Sequence, residues 1–126
     1  MPNTIQEAKR YLDNAKEILR EKARKEDGYY QDKKYVKLAG HAAYTGVLVA
    51  LDALFDEKSR KRKDVDWYKE RLAKIDRKML NSFNGAYEIL HLSMSYDGVL
   101  NAGVTVEGLK EAERIINWVE TRTAVA

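Results

Sequence analysis

The chain has 126 residues, no cysteine, 23 basic and 20 acidic side chains, and a net charge of +3. One domain over residues 1–126 is long enough to bury a core unaided, and the lack of cysteine excludes disulfides and thiolate metal sites and fits a reducing compartment. The basic surplus is too small to imply a nucleic-acid partner by itself, because Lys, Arg, Glu and Asp are intermixed on helix faces as on an ordinary solvated surface.

The opening MPNTIQEAKR has no apolar h-region, so no secretory signal is expected and the protein is read as cytoplasmic. Thr4 and Glu7 form a capping-box pattern. Ile5, Ala8, Tyr11, Leu12, Ala15, Ile18, Leu19 and Ala23 fall within an arc of about 140° at helical spacing. This predicts an amphipathic first helix ending near Lys25, before a turn around Gly28.

Asp32 is placed to cap a second, central helix running to about Phe55. Its stretch LAGHAAYTGVLVAL, from Leu38 to Leu51, carries no charged residue in a chain that is 34% charged. An apolar arc this wide is expected to be buried by several neighbours. Ala39, Ala43, Gly46, Ala50 and Ala53 form a spine of small residues within it. The membrane candidate, Leu38–Phe55, contains His41, Tyr44, Thr45 and Asp52, and a membrane span needs about 20 predominantly apolar residues, so it reads as a core helix. The other face carries Tyr44, Leu48, Leu51 and Phe55 among polar residues. Another helix of the bundle covers such a strip, or it forms the seam of a homodimer.

DEKSRKRKD, residues 56–64, is a charged loop. An apolar phase then restarts at Val65 and continues through Tyr68, Leu72, Ile75, Met79, Phe83, Ala86, Leu90 and Met94. A single rod to Tyr96 would measure about 50 Å and overshoot its neighbours, and Asn81, Ser82, Asn84 and Gly85 are poor helix formers. A kink or break is therefore expected between Asp76 and Gly85. Gly98 ends this segment, Thr105 is expected to cap the last helix, and Leu109, Ala112, Ile115, Ile116 and Val119 should face inward. The terminal TRTAVA should fray. The expected fold is all-α: an up-and-down bundle of four long helices, the third kinked or broken into two, with no strand pattern.

EAKRYLDNAKEIL, GYYQDKKYVKLAGHAAYTGVLVALDALF, KIDRKMLN, ILHLSMSYDG and GLKEAERIINWV together resemble a family of short, stand-alone bacterial proteins of unknown function from Gram-negative anaerobes. The resemblance spans nearly the whole chain and implies no activity. More loosely, AYTGVLVALDALF is similar to the second helix of the HEPN superfamily (higher eukaryotes and prokaryotes nucleotide-binding domain), which implies an all-α bundle. HEPN ribonucleases carry an Arg four to six residues before a His. Here residues 34–36 before His41 are Lys34, Tyr35 and Val36, and residues 84–86 before His91 are Asn84, Gly85 and Ala86. That departure implies a non-catalytic member.

Three constellations remain. In an up-and-down bundle the turns at Tyr29–Asp32 and Asp97–Gly98 share one end, which places His41 and His91 within about 4–5 Å in height. A polar pocket of His41, Tyr44, Tyr87, His91, Tyr96 and Asp97 follows, against the plainer reading of two separate histidines. Second, Tyr29, Tyr30, Lys33 and Lys34, with Lys58, Arg60, Lys61, Arg62 and Lys63, supply aromatic faces and cations suited to nucleic acid. The two groups lie at opposite ends of the central helix, about 36 Å apart, which argues against one compact site. Third, paired Glu-x-x-His motifs are represented only by Glu88 and His91, and no HExxH, phosphate-cradling glycine loop or nucleophile elbow occurs. No metal, cofactor or catalytic residue is expected. The leading expectation is a non-enzymatic protein that associates with itself or another protein through Tyr44, Leu48, Leu51 and Phe55. The alternative is a HEPN-like module binding RNA or a nucleotide.

Overall fold

The computed structural model describes residues 4–55 and 63–123. Helix α1, Thr4–Glu21, buries Ala8, Leu12, Ala15 and Leu19 along one stripe. It stops short of Lys25 because the chain turns at Arg24, whose φ is 52°. Ala23 is still fully buried. Lys25–Glu26 (β1) then pairs antiparallel with Tyr29–Tyr30 (β2). Between them Asp27 and Gly28 both take positive φ, 52° and 82°, as a two-residue Asp-Gly hairpin turn requires. This ribbon was not expected, because two-residue strands carry no readable periodicity.

Helix α2, Lys33–Phe55, is the centre of the bundle. Asp32 opens it by accepting a hydrogen bond from the Lys34 amide at 3.1 Å. Length and composition would let α2 cross a membrane, but its apolar face is packed on α1, on the helix after residue 86 and on the last helix. Ala39, Ala43 and Ala50 are fully buried. At Gly46 a β-carbon would lie 2.9 Å from the Ala8 carbonyl oxygen and 3.1 Å from the Tyr11 β-carbon, so α1 crosses α2 at close range here.

Helix α3, Val65–Ile75, starts at Asp64, whose carboxylate accepts from the Trp67 amide at 3.0 Å. The break falls at Asp76. Its extended backbone (φ −163°, ψ 107°) ends α3, and its carboxylate caps α4, Arg77–Ala86, by accepting from the Met79 amide at 3.1 Å. Asn81, Ser82, Asn84 and Gly85 are all helical, since packing outweighs propensity there. Helix α4 runs without interruption into a π-helix, Tyr87–Tyr96.

The last helix, α5, spans Ala102–Thr123. Asn101, not Thr105, caps it: Asn101 Oδ1 accepts from the Gly103 and Val104 amides at 2.8 and 3.3 Å. Thr105 lies inside the helix, fully buried, and donates to the Ala102 carbonyl at 2.9 Å. Thr121–Thr123 are helical, and the rest of the TRTAVA end lies outside the described residues. The described chain is thus all-α apart from one ribbon. The third expected helix is broken at Asp76, so that the described residues form five α-helices and a π-helical segment. The Tyr30 amide donates to the Leu100 carbonyl at 2.8 Å, and the Ala102 amide to the Gly28 carbonyl at 2.9 Å. These bonds bring the two turns flanking α2 and the π-helix to one end of the molecule.

Candidate ligand-binding face

The sequence aligns Lys33, Lys37, His41, Tyr44, Leu48, Asp52 and Phe55 along one line of α2, at steps of three and four residues. The π-helix lies beside the first half of this line. Its approach depends on Gly40, where a β-carbon would meet Met94 Cβ at 2.6 Å, the Leu90 carbonyl at 2.7 Å and the Ser95 amide at 2.9 Å. Only a residue without a side chain lets two backbones come this close.

The result is a cluster of rings around His91. Its imidazole lies 4.9 Å from the Tyr44 ring, 5.3 Å from Tyr87 in a stacked arrangement, and 5.2 Å from Tyr96 edge-on. Burial holds the His91 pKa below the usual histidine value, and the nearby His41 lowers it further. The Tyr44 hydroxyl is pushed up to about 12, first by burial and then by Tyr87. Five of the six residues expected in a polar pocket thus share one face. Asp97 does not join them: it is exposed, and its amide closes the π-helix by donating to the Leu92 carbonyl at 3.0 Å.

The row of rings continues along α2. Tyr44 is 6.4 Å from Phe83, Phe83 is 5.9 Å from Tyr68, and Tyr68 is 5.1 Å from Trp67, which meets Phe55 at 5.5 Å. Phe83 and Tyr68 are buried, while Tyr87, His91 and Trp67 are partly exposed and Tyr96 is 67% exposed. Cations sit over the open rings: Lys69 is 5.2 Å from Tyr87, and Lys63 and Arg71 are each 4.9 Å from Trp67. The Tyr68 hydroxyl donates to Asp52 at 2.7 Å, and Lys63 reaches the same carboxylate at 3.5 Å. Burial and that hydrogen bond raise the Tyr68 pKa. At the other end of the row, Lys33, Lys34, Lys37, Leu38, His41 and Ser95 line a cavity of about 560 Å3.

Two expectations need correction. Leu51 is fully buried in the protein's own core, and Tyr44, Leu48 and Phe55 pack against that core. Rings of α4 and the π-helix lie against Tyr44 and the Trp67 ring of α3 lies against Phe55, while Tyr44, Leu48 and Phe55 stay partly exposed. Tyr30 is 8% exposed and belongs to the core, because β2 turns it inward, so it has no face for a base. Tyr29 is exposed but bridges to Asn101. Lys58, Arg60, Lys61 and Arg62 lie outside the described residues.

The family model for a domain of unknown function, DUF5618, matches residues 3–121. The chain belongs to the DUF5618 family. This DUF5618 chain is also similar to a solved structure, a protein of unknown function from Dyadobacter fermentans, at 60% sequence identity and a TM-score of 0.89, covering 96% of each chain. No curated protein matches it.

Sequence reasoning overlooked Trp67, Lys69 and Arg71. Part of the signal was present in this DUF5618 sequence, since Lys63, Trp67 and Arg71 are spaced four apart. The reach of Lys69 to Tyr87 is tertiary and has no such signature. Chemically, the face offers partly exposed π-surfaces, cations and a basic cavity. Among the described residues neither imidazole hydrogen-bonds a carboxylate or a nucleophile.

Proposed function

We propose that this chain is a binding module for single-stranded RNA, held along the face formed by α2, α3 and the π-helix. The observation that carries this reading is the row of rings and cations running from the Lys33 cavity, through Tyr96, His91 and Tyr87 with Lys69, to Trp67 with Lys63 and Arg71. Single-stranded nucleic acids are held by cations that track the phosphates and by aromatic rings on which bases stack. The two basic groups at opposite ends of α2, too far apart for one compact site, become the ends of an extended one. The row follows α2 for about 33 Å at 1.5 Å per residue, within the span of known single-strand sites of roughly 4–16 nucleotides. The looser likeness of AYTGVLVALDALF to HEPN proteins points toward the same class of ligand. The chain is read as acting by binding rather than catalysis. Self-association through Tyr44, Leu48, Leu51 and Phe55 is not carried forward, because Leu51 is buried in the chain's own core and the other three pack against it.

Fluorescence anisotropy with a labelled single-stranded RNA tests this directly. Binding should weaken as salt rises, with a log–log slope of about −0.7 for each phosphate contacted. Tyr96→Ala should weaken it by about 5–100-fold, the range for loss of one stacking platform, and Lys69→Ala should reduce the slope. No binding at low salt, or binding indifferent to both substitutions, would overturn the proposal.

A further inference from the structure

The cavity at the end of this face gathers three lysines from the first turns of α2. Lys33, Lys34 and Lys37 line one open hollow of about 560 Å3 together with Leu38, His41 and Ser95, and Lys34 Nζ also lies 5.4 Å from the Tyr35 ring. None of the three lysines forms an ion pair among the described residues. The α2 N-terminus is not the source of the positive charge. Asp32 already takes the first free amides, with Lys34 donating to its carboxylate at 3.1 Å and Tyr35 and Val36 to its carbonyl at 3.2 and 3.3 Å.

The lysines are also held in place. Gly98 has φ +65°, and a β-carbon there would run into Lys33 Cγ and come within 3.1 Å of Lys37 Cε. Both stems therefore lie across the Gly98 backbone, just beyond the π-helix. Ordering them before a ligand arrives reduces the entropy lost on binding. The row also stops here, since Lys33 is the first residue of α2.

We infer that this cavity takes a terminal phosphate monoester, so that the face binds an RNA end and not only its interior. An internal phosphodiester carries one negative charge, whereas a monoester carries nearly two above its second pKa near 6 and presents three acceptor oxygens. Three lysines around one hollow, none of them in an ion pair among the described residues, match the second charge state. Lys33 and Lys37, which share one helix face, supply point-charge contacts to the phosphate, and His41 lies between the cavity and the His91 ring cluster. The inference deepens the RNA reading and rests on it for the source of the phosphate; a free mononucleotide would present the same group.

Anisotropy at pH 7.5 with one RNA sequence carrying a 5′-phosphate, a 3′-phosphate or hydroxyls at both ends tests the inference, with adenosine monophosphate and inorganic phosphate as competitors. One phosphorylated form should bind about tenfold tighter than the hydroxyl-ended form, the effect expected of one added charge-assisted contact. In the Lys33→Gln, Lys37→Gln double variant the affinity ratio between phosphorylated and hydroxyl-ended RNA should fall to about one, and hydroxyl-ended RNA, which loses two cations of the row, should bind more weakly than to the parent; a thermal melt of the variant checks that it is folded. Equal affinity for all three ends would overturn the terminal-phosphate inference and leave the RNA reading standing. Binding of adenosine monophosphate that depends on Lys33 and Lys37, with no RNA bound, would support the cavity and overturn the RNA reading. Failure of every ligand would overturn both.

Discussion

The Tyr96 ring meets the His91 ring edge-on at 5.2 Å, although the two residues are five apart in one helix. In an α-helix that separation places side chains about 140° from one another. The i→i+5 bonding of a π-helix brings them back to nearly the same side. Such helices usually occur as single turns, often at functional sites; here the segment covers Tyr87–Tyr96 and carries three of the five rings and imidazoles gathered at His91.

Gly40 is the contact that seats this segment on α2. Ala is the better helix former by about 0.5–1 kcal/mol. At Gly40, however, its methyl would press on the Leu90 carbonyl and the Ser95 amide, at 2.7 and 2.9 Å, which are backbone atoms that cannot rotate away. Overpacking costs about 1–3 kcal/mol and should dominate. Urea denaturation of Gly40→Ala is expected to show a net loss of stability together with weaker RNA binding. A gain in stability would mean that the approach is looser than described.

Leu51 separates a core role from an interface role. It is fully buried within one chain, so Leu51→Ala should cost about 2–5 kcal/mol of folding stability. Its oligomeric state by light scattering should match that of the parent. A change in oligomeric state with stability preserved would restore the strip as a seam.

The His91 pKa is lowered in the folded chain by burial and by His41. Between its folded and unfolded values the unfolded chain binds the extra proton, so stability rises with pH there. The contribution is fully present above the unfolded value, near 6.5, and is lost as pH falls through the folded value. His91→Gln should remove that part of the acid sensitivity. Melting temperatures of parent and variant should therefore converge, or cross, as pH is lowered from 7.5 to 5; parallel curves would show that His91 does not contribute.

Tyr68 ties α3 to α2 through its 2.7 Å hydrogen bond to Asp52. Tyr68→Phe keeps the ring packing and removes the donor. Hydrogen bonds to charged groups contribute about 1.5–3 kcal/mol, and the partial exposure of Asp52 points to the lower end of that range. In a double-mutant cycle with Asp52→Asn, most of the loss should be shared between the two sites. Additive losses would show that the pair is not coupled.

Much of the bundle could be read from residue spacing. The stripe Ala8, Leu12, Ala15 and Leu19, the capping role of Asp32, the uncharged stretch from Leu38 to Leu51 and the inward face of α5 at Ala112, Ile115, Ile116 and Val119 are all periodic or local, and the structure buries or caps accordingly. The Asp27–Gly28 turn was equally local, but its two-residue strands are held by pairing with each other and by bridges to Leu100 and Asn101, which no short window contains.

The sequence by itself determined which segments are helical and which face of each is apolar, because those properties repeat every three or four residues along the chain. Only the tertiary structure decided that the expected interruption between Asp76 and Gly85 would be a break and not a kink, that Leu51 would turn inward, and that residues 87–96 would widen into a π-helix against Gly40. The inward turn of Leu51 and the seating of the π-helix on Gly40 depend on contacts between residues distant in sequence, and so do the contacts that join the face across helices, Tyr44 with His91, Lys69 with Tyr87 and Phe55 with Trp67.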